Sequence, residues 1–200
     1  TKAWTGTLAQ CATTNVTFSG GDAFNFAPST TYTIKGFTSS PNGSSDGNTL
    51  NDTTTLAGVG TAMSGNYTID ADSAASATNF QSFTAAASAL SSGGVNGSVN
   101  ITVLGSTPYS EQVSFSVIPG SSAANTITID GGSGNAANRI LSFNFPTTPT
   151  NFAVMRLNGA DYLRIKNLTI RSTSTNWGYG VLFTNQADYN IIDSCIIDLT

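Results

Sequence analysis

The 200-residue sequence contains no histidine. Ser-His-Asp and Cys-His nucleophiles, imidazole metal ligands and a histidine pH switch therefore have no source within it. Acid-base or metal chemistry would have to come from 11 carboxylates, 7 basic side chains and two cysteines. Asp161 and Asp188 are one choice: carboxylates brought together could share a calcium ion, which takes about 6 to 8 oxygens, or each could accept a backbone N–H in an Asx-turn. Asp70 with Asp72, and the loop Ser45-Asp46-Gly47-Asn48, pose the same choice without matching an EF-hand spacing. Cys11 and Cys195 form no CxxC unit, which leaves two separate thiols or one long-range disulfide and supports no zinc site. Sequence reading assigns no catalytic residue and no cofactor, with calcium as the open alternative.

Aromatic side chains in exposed connections are platforms for sugar rings. Trp177-Gly178-Tyr179 lies in such a connection, so Trp177 and Tyr179 are the candidate glycan contacts; the competing reading folds Trp177 back over the core. A net charge of −4 gives no basic field to gather phosphates, so nucleic acid is not an expected partner. No stretch approaches the ~20 continuous apolar residues of a membrane helix, so no membrane insertion is expected either.

The elements that position these residues are β. Only 9% of residues are charged, and Ser, Thr, Asn and Gly dominate, which suits strand exteriors and turns better than helix surfaces. One helix is predicted, over Thr78–Ser92, on a Thr78/Gln81 capping box. Phe80, Phe83, Ala87 and Leu90 form its apolar face, and Gly93-Gly94 supplies the stop. Alternation then predicts strands with Val99, Ile101 and Val103 on one face, Val113, Phe115 and Val117 next, and Ile127 with Ile129 after a Pro119-Gly120 turn.

The organising feature is a repeat. Residues 158–170 recur at 185–197, an offset of 27 with six identities in thirteen. A repeat of short strands without an intervening helix predicts a parallel β-solenoid with one coil per repeat. The register stacks Val154 with Val181, Tyr162 with Tyr189, Ile165 with Ile192, Leu168 with Cys195 and Ile170 with Ile197. It also places Lys166 against Asp193 and Arg171 against Asp198. Apolar parity switches after Ile165, which predicts a corner at Lys166-Asn167. Residues 1–64 read as a small β-rich, Ig-like sandwich segment, and residues 65–200 as the N-terminal part of a parallel β-helix. Ile196-Ile197-Asp198-Leu199-Thr200 falls inside an apolar strand pattern, so the expectation is a stack truncated at its C-terminal end; no signal peptide is expected at Thr1.

The stretch from Gly65-Asn66-Tyr67-Thr68-Ile69 through Asn79-Phe80-Gln81-Ser82-Phe83, Gly97-Ser98-Val99-Asn100-Ile101 and Tyr109-Ser110-Glu111-Gln112-Val113 to Tyr162-Leu163-Arg164-Ile165-Lys166-Asn167-Leu168-Thr169-Ile170 resembles the right-handed parallel β-helix, or pectin-lyase-like, segments of large surface proteins secreted by Bacteroidota. SprB-type gliding-motility adhesins are the best-known example. The resemblance implies a right-handed coil, an α-helical cap on its entrance, a cell-surface adhesive role toward glycans or abiotic surfaces, and type IX secretion. Contact with outer-membrane secretion or motility machinery would run through regions outside this sequence. It also implies O-glycosylation at Thr53 in Asp52-Thr53-Thr54 and at Ser73 in Asp72-Ser73-Ala74. Arg164-Ile165-Lys166 resembles an element of pectin-processing hydrolases, whose chemistry needs grouped carboxylates and a Gly-His-Gly segment absent here. A polysaccharide-active enzyme and a phage-type fibre segment are the alternative functions.

Overall fold

The computed structural model describes residues 5–6, 9, 12–17, 32–37, 47, 50, 53–105, 108–132, 134–146, 151–174 and 178–199. Strand outweighs helix, 47% to 9%, so the chain is all-β, with one α-helix among the described residues. Two strands, β1 (Tyr32–Phe37) and β2 (Thr53–Val59), pair antiparallel. They are the described strands of the predicted sandwich segment. Three residues separate β2 from β3 (Met63–Ile69), which runs across the boundary predicted at Gly65.

The remaining strands are β4 (Asn79–Phe80), β5 (Val95–Val103), β6 (Tyr109–Ser110), β7 (Val113–Ser116), β8 (Ile127–Asp130), β9 (Ile140–Phe143), β10 (Ala153–Asn158), β11 (Leu163–Lys166), β12 (Thr169–Ser172), β13 (Tyr179–Thr184), β14 (Ile191–Asp193) and β15 (Ile196–Asp198). They form three parallel sheets, ordered β14-β11-β8-β5-β3-β4, β15-β12-β9-β6 and β13-β10-β7. From β7 onward successive strands visit the three sheets in rotation, and from β8 each returns beside the strand three places earlier.

That rotation builds apolar ladders between the sheets. Tyr67, Ile101, Ile129, Ile165 and Ile192 stand in one row. Tyr109, Leu141, Ile170 and Ile197 form a second, and Phe115, Leu157 and Phe183 a third. Ile129, Leu141, Leu157, Ile165 and Ile170 have no solvent exposure. Each such side chain contributes roughly 1.5–3 kcal/mol relative to staying exposed.

The 27-residue register holds in β11/β14, where Ile165 pairs Ile192, and in β12/β15, where Ile170 pairs Ile197. It fails in β10/β13. There Met155, rather than Val154, lies beside Val181. The turn that follows supplies the missing residue: one positive-φ residue, Gly159, turns the first copy, whereas Asn185 and Gln186 together turn the second. The corner at Asn167 is confirmed by its φ of 52°, and Ser194 repeats it at 53°.

Helix α1 (Phe83–Gly93) begins later than predicted, and its N-cap is Ser82, whose side chain accepts from the Ala85 N–H. Thr78 cannot cap it because the Thr78 and Phe80 carbonyls accept from the Thr68 and Asp70 N–H groups, which draws Asn79–Phe80 into the sheet as β4. Phe83, Ala86, Ala87 and Leu90 form the buried face. The helix packs on β7, β3, β2 and β4. Val117 also departs from its predicted face: β7 ends at Ser116, which bridges Gly159, and Val117 is 64% exposed while Ile118 is buried.

Candidate binding surface

Tyr179 opens β13 and is 56% exposed. Its N–H donates to the Phe152 carbonyl at 2.6 Å, and the Thr173 N–H donates to the Phe143 carbonyl at 3.0 Å. These bonds join the two ends of the β12–β13 connection to the two ends of the β9–β10 connection. Gly178 makes the approach close: a Cβ there would run into Ser172 Oγ and lie 3.1 Å from Phe145 Cε2. Phe145 is buried and meets Phe143 edge-on, with centroids 5.0 Å apart. Phe152 is 36% exposed. The Gln112 amide fastens the base of the β9–β10 connection by donating to the Asn151 and Ala153 carbonyls at 3.0 and 2.7 Å. Two exposed aromatic residues, Phe152 and Tyr179, are thus linked through the backbone beside the Phe143–Phe145 pair. Trp177 lies outside the described residues.

Sequence reading missed Phe152 and Gln112. Gln112 acts from about forty residues away, which no local pattern reveals. Phe152 carries a signal in hindsight, since it occupies the position before β10 that Gly178 occupies before β13.

A second aromatic feature sits on the turn before β11. Tyr162 and Tyr189 stack with centroids 4.8 Å apart and ring planes 7° from parallel, both at φ 57°. Polar ladders accompany them. Asp188 N–H donates to Asp161 Oδ1 at 2.7 Å, Asn185 Nδ2 to Asn158 Oδ1 at 2.6 Å, and Leu163 N–H to Asn190 Oδ1 at 2.9 Å. Asp161 thus receives a backbone donor from the following repeat. Among the described residues no group of three Asp, Glu or Cys side chains converges as a metal site.

Lys166 and Asp193 are register neighbours, yet the Lys166 ammonium turns to the preceding strand and lies 4.0 Å from Asp130 Oδ2. Burial alone would raise the Asp130 carboxyl; hydrogen bonds from Asn167 and the Gly132 N–H, with the Lys166 charge, hold it below its ordinary value instead. Arg171 and Asp198 pair as predicted, at 2.7 Å. Arg164 is exposed on the outer face of β11. Cys195 is a free thiol whose pKa burial pushes up, and Cys11 lies outside the described residues.

Of the glycosylation candidates, Thr53 is exposed at the start of β2, opposite Phe37. Ser73 is exposed on a turn and donates to Asp70 Oδ2 at 2.7 Å. Among the described residues no helix is long and apolar enough to cross a membrane. No protein-family model, curated protein or solved structure matches the chain.

Proposed function

We propose that this chain is a stiff structural and adhesive module of a large bacterial cell-surface protein, built as a right-handed parallel β-helix whose entrance α1 closes. The observation that carries the reading is the rotation of successive strands through three parallel sheets. Stacked repeats touch mainly their neighbours, and a chain so built extends along one axis. Glycan or surface contact is assigned to Trp177 and Tyr179, around the start of β13, with the exposed Phe152, whose carbonyl accepts from the Tyr179 N–H, as a further ring. Aromatic groups of this kind offer faces for sugar rings, and on this reading the module binds without turnover.

One shallow aromatic contact binds weakly, and display in many copies raises avidity by roughly 10²–10⁴. The test is glycan-array and surface binding of the chain on beads, compared with Tyr179→Ala and Trp177→Ala. Retention that falls with either variant supports the site, and unchanged retention rules it out. Release of products from pectin or alginate, with or without calcium, would overturn the adhesive reading in favour of a polysaccharide-active enzyme.

A further inference from the structure

The sequence contains three Asn-Gly pairs: 42–43, 96–97 and 158–159. The first lies outside the described residues, and the other two sit in opposite surroundings. Asn158 is half-buried, and its Oδ1 accepts from Asn185 Nδ2 at 2.6 Å and Thr184 Oγ1 at 3.1 Å. The Gly159 N–H donates to the Thr184 carbonyl at 3.0 Å. Both the electrophilic amide and the nitrogen that would attack it are therefore held.

Asn96 lies in β5 where the register with β3 slips: Met63 pairs Val95, and the next assigned pair is Gly65 with Val99. Asn96, Gly97 and Ser98 bulge between those pairs, and pairing with β8 begins only at Val99. Asn96 is exposed. Among the described residues its side-chain amide makes no hydrogen bond. A bulge leaves residues out of the ladder and bends the strand, and glycine after asparagine removes the side chain that hinders ring closure.

We infer that Asn96-Gly97 is a site of spontaneous backbone modification. The Gly97 nitrogen, on losing its proton, attacks Asn96 Cγ; a C–N bond forms, the Cγ–Nδ2 bond breaks, and ammonia leaves with that proton. Water then opens the five-membered imide at either carbonyl and gives aspartate or isoaspartate. Either product places a carboxylate on a neutral bulge. The isoaspartyl product also lengthens the backbone of β5, the strand between β3 and β8.

The experiment ages the intact chain at mildly alkaline pH and follows both sites by peptide mass spectrometry, so Asn158 is an internal control. The expected result is conversion at Asn96 at least about tenfold faster than at Asn158, which is 1.36 kcal/mol of barrier, rising with pH. In urea, where both pairs share the same unfolded surroundings, the ratio falls toward one. Equal native rates, or a ratio that survives unfolding, would overturn the inference.

Discussion

Glu111 caps a helix that begins 28 residues earlier in the sequence. Its carboxylate accepts from Phe83 N–H at 2.8 Å, Thr84 N–H at 2.9 Å and Thr84 Oγ1 at 2.5 Å. Two of the N–H groups that a helix start leaves unpaired are satisfied this way, while Ser82 satisfies Ala85. The Thr84 donors are exposed and can turn to water after Glu111→Ala; the part-buried Phe83 N–H is less free to do so. One charge-assisted bond contributes about 1.5–3 kcal/mol, and a carboxylate at a helix N-terminus adds about 0.3–1 kcal/mol. Glu111→Ala should therefore cost about 2–4 kcal/mol, and for a chain of this size 1 kcal/mol corresponds to about 2–4 °C in Tm. Glu111→Gln keeps an acceptor without the charge and should fall between wild type and Glu111→Ala. Urea and thermal melts give the totals. Amide exchange locates the loss, which should open α1 before β10–β12. A Glu111→Ala chain within about 0.5 kcal/mol of wild type, as for an ordinary surface change, would refute the capping argument.

Two further substitutions address the framework. Tyr109 Oη lies 3.0 Å from the Ile69 carbonyl and 2.9 Å from that of Leu104, and it accepts from the Ala71 N–H at 3.2 Å. Tyr109→Phe keeps the edge-on ring contact with Phe83 but strips these partners, and urea titration should show a loss of about 1–3 kcal/mol. Because the folded Asp130 pKa lies below its ordinary 3.8, its stabilising contribution is present above that value and disappears as pH falls through the folded pKa. Asp130→Asn should flatten that part of the acid stability profile; an unchanged acid slope would contradict it.

The sequence made legible those parts of the fold that its repeat lengths preserve. Residues 158–170 and 185–197 keep their spacing through β11, β12, β14 and β15, and those registers follow directly. The earlier rounds hide the same arrangement: Ile127 pairs Leu163 across 36 residues and Val113 pairs Met155 across 42, because connections vary in length without changing what the strands bury. Helix α1 was legible as an apolar face but not at its start, since Thr78 offers as good a local cap as Ser82 until β4 claims the chain. Glu111 and Gln112 act across 27 to 41 residues, beyond any local pattern. Tyr179, expected in a connection, instead opens β13 in register with Ala153 and is exposed, and Phe152 enters only once the pairing of β10 with β13 is known.

The central claim is the parallel 27-residue register that joins β11 to β14 and β12 to β15, and nuclear Overhauser contacts measure it most directly, since paired parallel strands lie about 4.8 Å apart. The account predicts contacts between Arg164 and Ile191, Ile165 and Ile192, Lys166 and Asp193, Thr169 and Ile196, and Ile170 and Ile197, with Tyr162 and Tyr189 ring protons in mutual contact. Contacts in which one residue number rises as its partner's falls would mark antiparallel hairpins, and that result would contradict the stack together with the function built on it.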